Sequence, residues 1–382
     1  MIKFRRHWRI WLAAPAAVAA TALGLTVPAQ AQAQVPAQAR VPAQAQSSPP
    51  ARSATAPVRT TQTLRSLNEE RPPTGGQRWV VSDPVAYRQA VKTQNWMHTP
   101  YGLSYKTCVY RAPNHAVVRK SEIVAPSGAI QRITPCMHPT LSYPGSAGPS
   151  TLGHRANALG APKVATTGGP CAFGPGGVYW AASCYGSAPD WVTSFDQEYA
   201  VPTNPAKDGA LIFLWGGIED AQGDTLLQDV LTWGANGNIV TNPNVWYVTN
   251  WYLWPTNNSV ISPSIHVNPS DTIVADLTAS KCNSSGWCTW VLKSTDTTNG
   301  NSTSYTVGSE VAFDLLLGSV MEVPSGEGCI ETPTNGHAAF RDLTVGGNNG
   351  TITPDFGTSL PDPQCSISIR QTATAADILW KT

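Results

Sequence analysis

From about residue 176 onward, the chain is a succession of short segments rich in β-branched and aromatic residues, separated by turn-forming residues. Ten such segments lie between residues 178 and 371, and none has the period of an amphipathic helix. Gly and Pro number 32 each, whereas charged residues make up 13% of the chain, a composition poor in helix formers. Many short strands at close spacing predict an all-β domain, either a sandwich or a barrel.

The N-terminus has the layout of a secretory signal peptide. Four basic residues precede an apolar run from residue 10 to about residue 27, and Ala29-Gln30-Ala31 matches an A-x-A cleavage site. Pro15 interrupts the run, which is short for a membrane span, and no second long apolar stretch follows. We therefore predict that residues 1–31 are a signal peptide and that the mature protein is soluble, secreted to the periplasm or the extracellular space, and not attached to a membrane.

The eight cysteines predict disulfide bonds, because their number is even and the chain is exported. No Cys or His pair has the spacing of a zinc site, so neither a metal nor a cofactor is predicted. Short loops close most easily. Neighbouring cysteines are therefore expected to pair in order: Cys108 with Cys136, Cys171 with Cys184, Cys282 with Cys288, and Cys329 with Cys365.

Charge divides the chain into a basic and an acidic part. Residues 32–165 hold 15 Lys and Arg against 4 Asp and Glu, whereas residues 166–382 hold 6 against 20. Complementary fields favour docking of the two parts, and the attraction weakens when carboxylates become protonated. This pattern is typical of a propeptide that leaves at acid pH, although two domains that simply pack together are the alternative. No nucleic-acid partner is predicted, because the chain is exported and has no nucleic-acid fold signature.

Composition also sets the predicted domain boundaries. Residues 32–75 are an Ala/Gln/Pro-rich linker that cannot bury a core. Residues 76–165 are a basic, propeptide-like region that contains a small unit with a short helix near residues 83–94 and a Cys108–Cys136 staple. Residues 166–382 are the acidic β domain, and the protein is predicted to be a monomer.

Two polar residues stand out inside apolar segments: Gln228 and Glu322. No G-x-S-x-G or H-E-x-x-H pattern is present in the sequence. If the Gln and the Glu lie on one face of a sandwich, they can share one water molecule. The carboxylate would then deprotonate the water, and the amide would hold it and donate to the developing oxyanion. The alternative is that both side chains face solvent.

Five segments of the acidic part carry a recognisable pattern. They are residues 194–203 (SFDQEYAVPT), 214–220 (LWGGIED), 224–228 (DTLLQ), 246–255 (WYVTNWYLWP) and 268–273 (NPSDTI). In order and spacing they resemble the opening strand, the W-V-G-I-D-G segment, the strand of the catalytic Gln, the W-Y-E-W-Y-P segment and the G-D-x-I strand entry of the eqolisin family of glutamic peptidases. Ser270 stands in place of the Gly in the last segment.

The resemblance implies a concanavalin A-like β-sandwich of two antiparallel sheets, preceded by a basic propeptide. It places the catalytic Gln at Gln228 and the catalytic Glu at Glu322. The family's A-E-W-I-V-E segment is replaced here by MEVPSGE, so Glu327 and Glu331 remain competing positions. Residues expected to line the substrate cleft are Trp215, Glu219, Asp220, Trp246 and Trp251, with the sandwich core as the alternative location for the Trp residues.

The function predicted from these features is a secreted acid endopeptidase of the glutamic type, made as a zymogen. Its partners would be a polypeptide substrate and its own basic N-terminal segment. A glycan-binding sandwich is the alternative, since Trp faces stack on sugars. A glycoside-active enzyme is a third possibility, but it needs a pair of carboxylates that flank the scissile bond.

Overall fold

The computed structural model describes residues 80–81, 83–100, 102–142, 179–185, 190–237, 239–254, 257–324, 328–359 and 364–381. The predictions for the signal peptide and the Ala/Gln/Pro-rich linker lie outside these residues. One α-helix, α1, spans Pro84–Val91. The strands are β1 Val80–Val81, β2 Trp96–Thr99, β3 Gly102–Tyr105, β4 Val109–Arg111, β5 Ala116–Arg119, β6 Glu122–Val124, β7 Ile130–Arg132, β8 Thr140–Leu141, β9 Tyr179–Tyr185, β10 Val192–Ala200, β11 Ile212–Asp220, β12 Leu226–Trp233, β13 Trp246–Leu253, β14 Ser259–Ile261, β15 Ile265–Val267, β16 Thr272–Ser280, β17 Thr289–Asp296, β18 Asn301–Gly308, β19 Phe313–Val323, β20 His337–Gly347, β21 Gly350–Ile352, β22 Phe356–Ser359, β23 Ser368–Gln371 and β24 Ala376–Leu379.

The predicted short helix near residues 83–94 is confirmed as α1. Asp83 caps its N-terminus, because the carboxylate accepts hydrogen bonds from the backbone N–H groups of Val85 at 2.7 Å and Ala86 at 3.1 Å. Pro84 occupies the first turn, where its missing N–H costs nothing. The helix ends at Val91, and the backbone N–H of Lys92 still donates to the carbonyl oxygen of Ala90.

The strands form two large sheets and one small sheet. The front sheet has the order β22-β9-β19-β11-β12-β13-β14-β4, with β15 beside β13. The back sheet has the order β23-β24-β20-β10-β16-β17-β18-β5-β6-β7, with β21 beside β20. The small sheet has the order β1-β8-β3-β2. Within residues 179–381, the described strand pairs are all antiparallel.

The front and back sheets pack face to face, which confirms the predicted all-β sandwich. One apolar cluster between them joins Ile218 and Leu316 of the front sheet to Phe195 and Trp290 of the back sheet. A second cluster joins front strands β11, β12, β13 and β19 to back strands β10, β16, β20 and β24. Along back strand β17, buried and more exposed residues alternate, as expected for a strand with one face on the core.

The front strands differ, because both of their faces are covered. All residues of β11, β12 and β13 are buried. A third apolar cluster lies on the face turned away from the back sheet, which we call the outer face, and includes Trp215, Val230 and Trp251. Met97 of the small sheet belongs to the same cluster. The small sheet therefore contributes to covering the outer face.

N-terminal strands β4 and β5 extend the two large sheets. β4 pairs in parallel with β14 of the front sheet, and β5 pairs in parallel with β18 of the back sheet. Ala112, just after β4, and Ala116, at the start of β5, are buried in the core between the sheets, as are Val118, Ile123 and Ile133 farther along. Residues 109–133 thus close one open edge of the sandwich, and the described residues from 80 onward belong to one compact unit.

Three predicted disulfide bonds are confirmed: Cys108–Cys136, Cys282–Cys288 and Cys329–Cys365. The predicted Cys171–Cys184 pair is not covered by the described side chains. The Cys108–Cys136 bond joins the two connections between the small sheet and residues 109–133. In the described part of the chain, no helix has the length and apolar character needed to span a membrane.

Candidate active site

Most of the candidate site residues identified from the sequence lie on the outer face of the front sheet. Strand register decides this, because residues paired across neighbouring strands point to the same face. Gln228 on β12 is opposite Gly217 on β11 and Trp251 on β13. Glu322 on β19 is opposite Phe213 on β11. Trp215 and Glu219 share this face, since they alternate with residues of β11 that face the core between the sheets.

Gln228 is fully buried, with 0% of its surface exposed. Among the residues that the structure describes, neither its Oε1 nor its Nε2 has a hydrogen-bond partner. Gly217 lies directly across from it, and a Cβ atom on this glycine would lie 2.3 Å from the Leu227 carbonyl oxygen and 2.9 Å from the Gln228 Cβ. The close approach of β11 to the Gln228 side chain therefore requires glycine at this position.

Glu322 is also buried, with 1% of its surface exposed. Burial raises the pKa of its carboxyl group well above the usual range, and the nearby indole N–H of Trp215 opposes that rise. The N–H does not reach the carboxyl oxygens with hydrogen-bond geometry, and within the described structure neither oxygen has a partner. Burial therefore favours the neutral, protonated form of this side chain.

Gln228 and Glu322 share a face but are not adjacent. Their partners on β11, Gly217 and Phe213, are four residues apart, and β11 itself separates the two strands. At about 3.3 Å per residue and about 4.8 Å per strand spacing, the two Cα atoms are about 16 Å apart. Trp215 lies between them on the same face. A single shared water would require both long side chains to lean toward each other across this indole.

The other predicted cleft residues divide between the two faces. Trp251 lies on the outer face, where its indole N–H donates to the Thr249 hydroxyl at 2.9 Å. Trp246 lies on the opposite face, in the core between the sheets. Asp220 accepts hydrogen bonds from the backbone N–H groups of Asp224 at 2.9 Å and Thr225 at 2.7 Å, so it shapes the turn between β11 and β12.

Of the competing positions for the late Glu, Glu331 is fully buried and forms an ion pair with Lys207, with 3.0 Å between the Lys Nζ and the carboxylate oxygen. Glu327 lies outside the described residues. A cluster of His, Cys, Asp or Glu side chains that could bind a metal ion is not found in the described ranges.

The small sheet brings further residues to this face that the sequence did not indicate. Met97 packs into the apolar cluster of the outer face, and the backbone of His98 exchanges two hydrogen bonds with the Asn236 side chain, at 3.0 and 2.9 Å. Tyr87 of α1 lies close enough to Glu322 that, after burial itself, the carboxylate is a cause of its raised pKa. No local sequence signal marks these contacts, because they join elements more than 100 residues apart.

A second missed feature lies directly behind Gln228. Asp229 points into the core between the sheets, is fully buried, and accepts a hydrogen bond from the Tyr199 hydroxyl. Burial raises the pKa of Asp229 from 3.8 to about 7, and the Tyr199 hydrogen bond limits the rise. In the sequence, the position of Asp229 inside the apolar run from Leu226 to Leu231 is the feature that could have indicated a buried carboxyl group.

Comparisons with known proteins place glutamic peptidases among the structural neighbours. No family model and no curated protein matches the chain. A scytalidoglutamic peptidase bound to a peptide-based transition-state analogue has 17% identity and a TM-score of 0.38, covering 53% of this chain and 98% of that one. SCP-B, an eqolisin peptidase in complex with a tripeptide, has 16% identity and a TM-score of 0.37, with the same coverage. Aspergilloglutamic peptidase from Aspergillus niger has 17% identity and a TM-score of 0.32, covering 44% of this chain and 98% of that one. Similarities at this level do not establish a family or an activity for the chain.

Proposed function

We propose that the protein is a secreted acid endopeptidase that cleaves extended polypeptide on the outer face of the front sheet. The observation that carries this proposal is the pair of buried side chains, Gln228 and Glu322, whose polar atoms have no hydrogen-bond partner within the described structure. They share that face with the indoles of Trp215 and Trp251. A peptide bound to this face would contact an amide group, carboxyl groups and apolar side chains.

A purely structural core would leave few buried polar groups without a hydrogen-bond partner. Leaving a buried polar group without a partner costs about 1–3 kcal/mol, and more if the group is charged. Most buried polar groups are hydrogen-bonded, and exceptions call for an explanation such as a catalytic role. Gln228 and Glu322 are two such exceptions on one face, and each leaves both of its polar side-chain atoms without a partner within the described structure. They therefore favour a site that is completed by a ligand.

The chemistry favours acid conditions. Buried carboxyl groups on this face, of which Glu322 has a raised pKa, can supply or accept a proton in hydrolysis. An amide such as that of Gln228 can orient water and donate a hydrogen bond to the tetrahedral oxyanion. Together, an amide and a carboxyl group suffice for water-dependent cleavage of a peptide bond, with no cofactor required.

We further propose that the N-terminal segment keeps the precursor inactive. Met97 packs against the outer face and Tyr87 lies near Glu322, so residues 80–105 occupy the place where substrate would bind. Within the described residues, an ion pair joins Lys120 of the N-terminal segment (residues 80–142) to Glu310 of the acidic part. Its Nζ–Oε2 distance is 2.8 Å, and both side chains are exposed. Because exposed pairs contribute about 0–1 kcal/mol, apolar contacts and strand pairing hold the segment in place.

The test is hydrolysis of a denatured protein substrate by the full-length protein, before and after incubation in acid, from about pH 3 to pH 7. The expected result is acid-dependent cleavage in the wild type that is lost in Gln228→Ala. The matched control is Gln131→Ala, which changes an exposed glutamine of β7 and should leave cleavage intact. Absence of cleavage by the wild type at every pH, together with retention on a glycan column, would replace this proposal with the glycan-binding alternative.

A further inference from the structure

Gln228 has a carboxyl neighbour much closer than Glu322. Glu219 on β11 is paired with Leu226 on β12, and Gln228 lies two residues farther along β12. Glu219 and Gln228 are therefore diagonal neighbours on one face. Diagonal pairs in antiparallel strands lie about 7–8 Å apart, within reach of long side chains. The corresponding separation between the Gln228 and Glu322 Cα atoms is about 16 Å.

From this register we propose that Glu219 is the carboxyl group that works with Gln228, and that it acts as the general base of the hydrolysis. The inference rests on the proposed function and assigns a residue within the same site. Glu219 and Gln228 are both fully buried, at 0% exposure, and both project from adjacent central strands of the front sheet. Central strands hold side chains more rigidly than loops do, as a catalytic pair requires.

A glycine beside this pair lets strand β11 approach the Gln228 side chain closely. Gly217 lies two residues before Glu219 on the same face and directly opposite Gln228, and it has no side chain. The surface above Gly217 is bounded by Glu219, Gln228 and Trp215. In this proposal, a water molecule and the peptide carbonyl bind beside Gly217, between the Gln228 amide and the Glu219 carboxylate.

The reaction balances with these groups alone. The Glu219 carboxylate takes one proton from water while the water oxygen bonds to the peptide carbonyl carbon. The Gln228 Nε2–H donates a hydrogen bond to the carbonyl oxygen as negative charge develops on it. The protonated Glu219 then gives its proton to the amide nitrogen, the C–N bond breaks, and a carboxylic acid and an amine leave.

Glu322 occupies a different position on the face. It lies beyond Trp215, next to Phe213 in register and close to Tyr87 of the N-terminal segment. A carboxyl group there can contact a bound chain some distance from the scissile bond. We therefore expect substitution of Glu322 to weaken substrate binding more than the chemical step, which would appear mainly in KM.

The deciding experiment compares Glu219→Gln with Glu322→Gln in the full-length, acid-incubated protein, using kcat and KM on one peptide. Removing a general base lowers the rate by about 100-fold to 10,000-fold, so kcat of Glu219→Gln should fall in that range with KM little changed. The control is Glu198→Gln, on back strand β10, which should keep wild-type values. A drop in kcat for Glu322→Gln as large as, or larger than, that for Glu219→Gln overturns the assignment.

Two further measurements keep the outcome clear. Circular dichroism shows whether Glu219→Gln is folded. If it is not, Glu219→Asp serves instead, and a folded Asp variant with wild-type kcat and an unchanged pH profile overturns the assignment. Failure of the proposed function looks different, because wild type and Glu198→Gln would then show no hydrolysis either.

Discussion

Replacing Asp229 by Asn removes an ionisable group from the middle of the sandwich without changing the size of the side chain. Asp229 is fully buried, and the Tyr199 hydroxyl donates a hydrogen bond to it. An Asn side chain retains an oxygen that can accept the same bond. The variant therefore isolates the effect of the charge from the effect of the packing.

The magnitude follows from the shift in pKa. Burial raises the pKa of Asp229 from 3.8 to about 7. Each pKa unit corresponds to about 1.36 kcal/mol, so the shift amounts to about 4 kcal/mol. Because the folded-state pKa is the higher one, the stabilising contribution is complete below about pH 4. It is lost as the pH rises through about 7.

The assay is urea denaturation of wild type and Asp229→Asn at a series of pH values. The difference in unfolding free energy between the two proteins should change by about 4 kcal/mol between about pH 4 and pH 8, with the variant gaining relative to wild type as the pH rises. Other groups, including Asp314 with a pKa of about 7, are common to both proteins and largely cancel. A difference that stays constant across this range would refute the reasoning.

A second variant tests the hydrogen bond. Tyr199→Phe removes the donor that limits the rise in the Asp229 pKa, so the loss of stability should move to higher pH. His98 has the opposite influence on how the unfolding free energy of the wild type depends on pH, because burial lowers its pKa to about 4. Its contribution is lost as the pH falls from about 6.5 toward 4. Maximum stability is therefore expected in mildly acidic solution.

Three further predictions concern the backbone and the N-terminal segment. Ser270 has a φ of 75°, so Ser270→Gly should raise the unfolding free energy by about 1 kcal/mol in urea; a loss of stability would contradict this. Gly217→Ala would place a Cβ atom 2.3 Å from the Leu227 carbonyl oxygen and should cost about 1–3 kcal/mol as well as activity. A protein that begins at residue 106 should stay soluble and monomeric in size-exclusion chromatography, whereas one that begins at residue 137 should aggregate, because it exposes two sheet edges.

The sequence was sufficient to predict the class of fold, since alternation and turn residues mark most strands of the acidic part. It could not assign the front strands to faces. All residues of β11, β12 and β13 are buried, so these strands have no period-two pattern to show which side faces the core. For this reason Trp215 and Trp246 looked equivalent in sequence, although they lie on opposite faces of one sheet.

The candidate site shows a second limit of prediction from the sequence. Gln228 was identified because a polar residue in an apolar run is visible locally. Whether Glu322 lies near it depends on the register between β11 and β19, strands about 100 residues apart, and β19 has an irregularity between Leu317 and Val320. Such a shift changes which residues are neighbours without leaving a mark in the sequence.

The parallel pairing of β4 and β5 has a consequence for the order of folding. These strands are made early, but their partners begin 150 residues later in the case of β14 and still later in the case of β18. Contacts of such high sequence separation form slowly, and unpaired strand edges promote association in the meantime. Basic residues at these edges, such as Arg119 and Arg132, oppose that association. The positive charge of the N-terminal segment is therefore expected to oppose association of the unfinished chain before its native strand partners are made.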